Sequence, residues 1–212
     1  MTKNQRRTGI TGIALPGLAM TIICAALPGS SSLSTVSAQK AHIERRVVAR
    51  AESYTGDRFS YFTETPRGVR VAAVNRPRFE ALRAIDEGLT DLFAVARRHN
   101  YRARLNYSDY IVFIARADRT RDSAGAYSPD MAFDATYYAG SVYDRGGYIY
   151  AAGMVSSYSP AALVVAEHER EWRRMADVVR YEGEHLVLYH NDRARFQQTA
   201  DHTRGGAHPL LK

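Results

Sequence analysis

The chain has 212 residues, 29 Lys and Arg against 22 Asp and Glu, a formal net charge of +7 and a single cysteine, Cys24. One cysteine rules out an intramolecular disulfide framework, so a stable fold must rest on apolar packing or on a metal. The charge is concentrated at the start: without Lys3, Arg6 and Arg7 it falls to +4, too little to suggest a nucleic-acid partner.

Residues 1–38 have the three-part order of a secretory signal. Basic residues precede an apolar run, I10-T-G-I-A-L-P-G-L-A-M-T-I-I-C-A-A-L27, and small residues close it at V36-S-A38. Gly12, Pro16 and Gly17 inside the run weaken the alternative of a membrane anchor. The expected mature protein therefore begins near Gln39 and is secreted or periplasmic, with no membrane attachment after cleavage. Cys24 falls inside the removed segment, which leaves no thiol chemistry.

Residues 39–66 read as a polar lead-in with a short helical pattern from Ile43 to Ala51. V69-R-V-A-A-V74 alternates as a strand does. Pro77 opens an amphipathic helix, with Phe79, Leu82, Ile85, Leu89, Leu92, Phe93 and Ala96 at spacings of three and four, ending near Asn100. Y110-I-V-F-I-A115 is a continuous β-branched and aromatic run, the pattern of a buried strand. A polar loop is expected over 116–134. Two strand-like runs, 135–142 and 147–155, flank Y143-D-R-G-G147, which suits a hairpin turn. Ser159-Pro160 has the form of a helix cap followed by proline at the first helical position. From there Val164, His168, Trp172, Met175, Val179, Glu182, Leu186 and Tyr189 keep one stripe, predicting a long helix over 160–190 that Asn191 can stop.

Within that helix lies Y181-E-G-E-H185. Residues four apart on a helix face the same way, so the spacing H-E-x-x-H lets two imidazoles share one zinc while the glutamate holds a water beside it. Glu182 and His185 fit this spacing, and Tyr181 stands where the first histidine belongs. Glu182 also falls on an apolar stripe, where a carboxylate needs a partner or a function. Four of the seven histidines, His185, His190, His202 and His208, lie in the last 28 residues. His202 and His208 follow the expected helix end, where the chain can turn back toward the helix face. His190 is rotated about 140° from His185 and is the weaker candidate; Asp192 suits a cap or an orienting group.

The order strand, long helix, strands, long helix, together with this motif, resembles the core of the zincin metallopeptidases over residues 69–208. The resemblance implies an α/β (α+β) domain over 67–212: a mixed β-sheet with a backing helix and a long C-terminal helix carrying the site. It implies a zinc ion held by His185, His202 and His208, with Glu182 as catalytic base and a peptide or protein as substrate. Tyr181 then has two readings. Its phenol is a weak ligand or oxyanion donor, or the site has lost its metal and the protein is a pseudoenzyme, a binding module that uses the old groove and a tyrosine-rich edge. A purely structural account instead pairs Glu182 with Arg180 and treats His185 as a core histidine.

Overall fold

The structure is a computed structural model that describes residues 43–118, 125, 128–202 and 208–212. The expected signal segment lies outside the described residues. In chain order the elements are α1 (Arg45–Thr55), β1 (Tyr61–Glu64), β2 (Arg70–Ala73), α2 (Phe79–Arg98), β3 (Tyr110–Ala115), β4 (Met131–Asp134), β5 (Tyr148–Ala151), β6 (Gly153–Tyr158), β7 (Ala161–Ala166), α3 (Trp172–Asn191) and α4 (Arg193–Thr199). Among the described residues no helix is long and apolar enough to cross a membrane.

Five strands form a mixed sheet in the order β1-β2-β3-β7-β6. β2, β3 and β7 are parallel, while β1 and β6 run antiparallel at the two edges. The central strands are buried on both faces, as continuous apolar runs such as 110–115 and 161–166 require. Period-2 alternation divides their side chains between two cores. Val71, Val112, Ile114, Leu163 and Val165 pack with α2 and α3. Ala72, Ile111, Phe113, Ala162 and Val164 pack on the opposite face with α1 and the small β4–β5 sheet. The expected mixed sheet, backing helix and long C-terminal helix are all present. Residues 45–64, read as part of a polar lead-in, contribute α1 and the edge strand β1.

Several local expectations are corrected. Ser159-Pro160 does not start a helix; it is the two-residue turn of the β6–β7 hairpin, where Tyr158 pairs with Ala161. A161-A-L-V-V-A166 is a strand because this continuous apolar run is buried on both faces while pairing with β3 and β6, so the helix spans 172–191 rather than 160–190. The polar loop expected over 116–134 contains β4 at its end. The run 135–142 is a connection with one 3-10 turn at Thr136–Tyr138, and 147–155 is two strands that belong to different sheets. The hairpin expected to turn at 143–147 does not form: β4 pairs with β5 instead, and 135–147 is the whole connection between them. Asp144 braces that connection by accepting the Gly140 and Gly147 amides, each at 2.6 Å.

Glycines set how closely the site-bearing helix approaches its neighbours. A Cβ on Gly88 of α2 would lie 2.3 Å from the Ala176 carbonyl oxygen of α3. At Gly153 of β6 it would lie 2.4 Å from a Val178 methyl and 3.1 Å from Glu182 Cγ. α3 is thus held tightly between α2 and the edge strand.

Candidate metal centre

Three pieces of chain meet at His185. The ring on α3 is buried, with 4% of its surface exposed. After α3, Asp192 caps α4 by accepting the Arg195 amide at 3.0 Å, and this short helix turns the chain so that His202 returns to the α3 face. The segment 208–212 brings His208 from the other side. His202 Nε2 lies 2.9 Å from His185 Nε2, and His208 Nε2 lies 3.3 Å from the same atom. The ligand atoms of all three histidines lie within 4.8 Å of one another.

These distances constrain what the cluster can be. A neutral imidazole has one N–H and one lone pair, so a single Nε2 proton on His185 can serve only one of its two neighbours. Nδ1 of His185 is buried without a hydrogen-bond partner, so the ring's interactions run through Nε2. Burial, followed by the charges of His208 and His202, depresses the His185 pKa to about 3. It is therefore neutral and able to donate its lone pair. Around a tetrahedral zinc with bonds of about 2.0–2.1 Å, ligand nitrogens sit about 3.3 Å apart. The observed spacings fit one shared cation, and the group His185, His202 and His208 can hold a metal ion.

Glu182 lies one turn before His185 and opens on the same cleft, a cavity of about 990 Å³. Burial pushes its pKa up to about 7, while the charge of His208 and the Val155 amide pull it down. A group with that pKa both accepts and returns protons near neutrality. Arg180 is not its partner: the guanidinium pairs with Glu184 at 3.3 Å. Tyr181 stacks on the His208 ring, with centroids 5.4 Å apart and planes 21° from parallel. Tyr181 thus supports the histidine that joins His185 and His202. His190 turns away and meets the Tyr158 carbonyl at 2.8 Å. Asp192 acts as a cap and accepts the Tyr101 hydroxyl at 3.0 Å.

Glu184 is not among the expected site residues, and Tyr158 is expected only as part of the tyrosine-rich edge. Glu184, with no exposed surface, contacts His208 Nδ1 at 3.4 Å. Its only sequence signal is the i,i+4 spacing from Arg180, which resembles any helical ion pair. Tyr158, at the end of β6, lines the cleft beside Glu182. Burial first, then the Glu182 charge, raise its pKa to about 12, so its hydroxyl stays protonated as a donor. Comparison with protein-family models, curated proteins and solved structures finds no match to this chain.

Proposed function

We propose that the protein is an exported zinc-dependent peptidase in which His185, His202 and His208 hold the metal and Glu182 is the base. The observation that carries this reading is the convergence of three imidazole nitrogens on one point beside a carboxylate whose pKa is pushed up to about 7. Three protein ligands leave a fourth position open, the arrangement of catalytic rather than structural zinc sites. A zinc ion there supplies Lewis acidity, polarising a carbonyl and lowering the pKa of water.

The remaining steps belong to the chain's own groups. Glu182 takes a proton from the attacking water and returns it to the leaving amine. Tyr158, protonated and facing the same cleft, donates a hydrogen bond where negative charge develops on the carbonyl oxygen. β6 is an edge strand of the sheet and borders the cleft, the position at which an extended peptide adds to a sheet. Tyr181 acts through its stack on His208 instead of as a ligand.

Zinc analysis of protein purified without an affinity tag tests the proposal. One equivalent of zinc, lost in His185→Ala and His202→Ala, together with peptide hydrolysis abolished by Glu182→Gln, is the expected result. Absence of zinc under zinc-replete conditions refutes it. A second reading, a non-catalytic module that binds a peptide along the same cleft, is favoured by the exposure of Tyr137, Tyr143, Tyr148 and Tyr150, at 70, 41, 49 and 45%. Peptide binding without zinc or hydrolysis distinguishes it.

A further inference from the structure

His208 reaches the cluster from a segment with its own set of anchors. Leu211 has no exposed surface and Leu210 only 8%; both join the core formed with α2 and α3. Arg180 donates to the Leu211 carbonyl at 3.1 Å, Arg195 donates to the Leu210 carbonyl, and the His99 ring meets the Lys212 carbonyl at 3.0 Å. The Leu210 amide donates to Glu184 at 2.6 Å.

Glu184 connects these anchors to the metal ligands. A fully buried carboxylate must be compensated by charge and hydrogen bonds. Its partners are Arg180 from its own helix, and Leu210 and His208 from the docked segment. With its Nδ1 proton directed at this carboxylate, His208 carries its lone pair on Nε2, the atom that faces His185 at 3.3 Å. A carboxylate behind a ligating imidazole fixes the tautomer and raises its basicity. Tyr181, stacked on the ring face, restrains its rotation.

We propose that Glu184 is a positioning residue for His208 and that docking of residues 208–212 and occupancy of the metal site are coupled. The proposal rests on the metal-binding reading above. When the segment leaves, Glu184 loses two of its three partners among the described residues, and the cluster loses a ligand. When a cation is held, His208 is fixed and the segment with it. Linkage makes the two effects reciprocal: whatever docking adds to metal affinity, the metal adds to docking.

The test uses the full-length protein with zinc, and with cobalt(II) as a spectroscopic reporter. Glu184→Gln keeps the shape and can still accept the Leu210 amide, but it loses the charge behind His208. It should weaken zinc binding by about 10–100-fold, the usual effect of removing such a partner, and should alter the visible cobalt(II) spectrum. Arg195→Ala keeps all three histidines and removes the donor to the Leu210 carbonyl; it should also weaken zinc binding, because it loosens the segment. If Glu184→Gln fails to fold, Arg195→Ala still carries the test. Hydrogen exchange supplies the reciprocal measurement: zinc should slow exchange at the Leu210 and Leu211 amides in the wild type and not in His185→Ala. A purely structural role for Glu184 would lower the stability of the metal-free protein and leave this zinc-dependent protection intact. If the wild type binds zinc through the three histidines but both variants bind it as tightly, or zinc leaves the exchange unchanged, the coupling is overturned and the metal site stands. If the wild type binds no zinc, both inferences fall.

Discussion

Two glycines on the seam between α2 and α3 allow the packing around the site to be tested without touching a ligand. Replacing either by alanine gains about 1 kcal/mol of helix propensity. They differ in what the new methyl meets. At Gly183 it lies 2.5 Å from Leu92 Cδ2, the tip of a flexible side chain that can rotate away. At Gly88 it lies 2.3 Å from the Ala176 carbonyl oxygen and 2.9 Å from Val179 Cβ, and neither can move without its helix. The helices must then part by about an ångström, enough to forfeit a quarter to a half of each dispersion contact along the seam. Overpacking of a rigid core costs about 1–3 kcal/mol, and this geometry belongs at or beyond the upper end. Net of propensity, Gly88→Ala should lose about 2 kcal/mol and Gly183→Ala should stay within about 1 kcal/mol of the wild type. In a domain of this size 2 kcal/mol lowers Tm by about 4–8 °C. Urea and thermal denaturation of the metal-free proteins measure the difference. Gly88→Ala as stable as Gly183→Ala would refute the close approach of the two helices.

Glu182→Gln should retain stoichiometric zinc while peptide hydrolysis falls by about 10²–10⁴-fold; loss of zinc in that variant would make Glu182 a ligand instead of the base. Mass spectrometry of the secreted or periplasmic fraction should find a chain starting near Gln39, and an intact amino terminus in the cytosol would contradict export. Burial raises the Asp86 pKa above its usual 3.8, with the Thr65 hydroxyl, the Arg67 amide and the Arg67 charge opposing the shift. Because the fold holds this proton more tightly than the unfolded chain, its contribution is fully present below about pH 3.8 and declines as pH rises through the folded pKa. Asp86→Asn should remove that part of the pH slope in urea titrations, and an unchanged slope would argue that Asp86 ionises normally in the fold.

The elements read most directly from sequence are those whose burial pattern is local. α2 has seven apolar residues on one helical stripe, and β3 is a six-residue run with no polar interruption, so each shows its environment in its own letters. Ser159-Pro160 misled because serine followed by proline suits a helix start and a tight turn equally. The choice is made by β3, which pairs with 161–166 and lies more than forty residues away. The spacing from Glu182 through His208 marked the three histidines that the fold brings together. Glu184 stayed hidden because its role depends on Leu210 and His208 returning to it, and nothing in Y181-E-G-E-H185 distinguishes it from a solvated helical glutamate. The stack of Tyr181 on His208 was hidden for the same reason.

The sheet separates two kinds of change. His185, Glu184 and His208 are held by neighbours, Leu186, Leu210 and Leu211, that lie in the core on the α2–α3 face, whereas the connection carrying Tyr137, Tyr138 and Tyr143 is rooted through Ala135 and Ile149 in the core on the other face. His185, His208 and these tyrosines all line the cleft, beyond the β6 edge. A longer or differently composed 135–147 connection would reshape one wall of the cleft while the imidazoles keep their spacing. The shape of the cleft can therefore change almost independently of the histidine cluster within it.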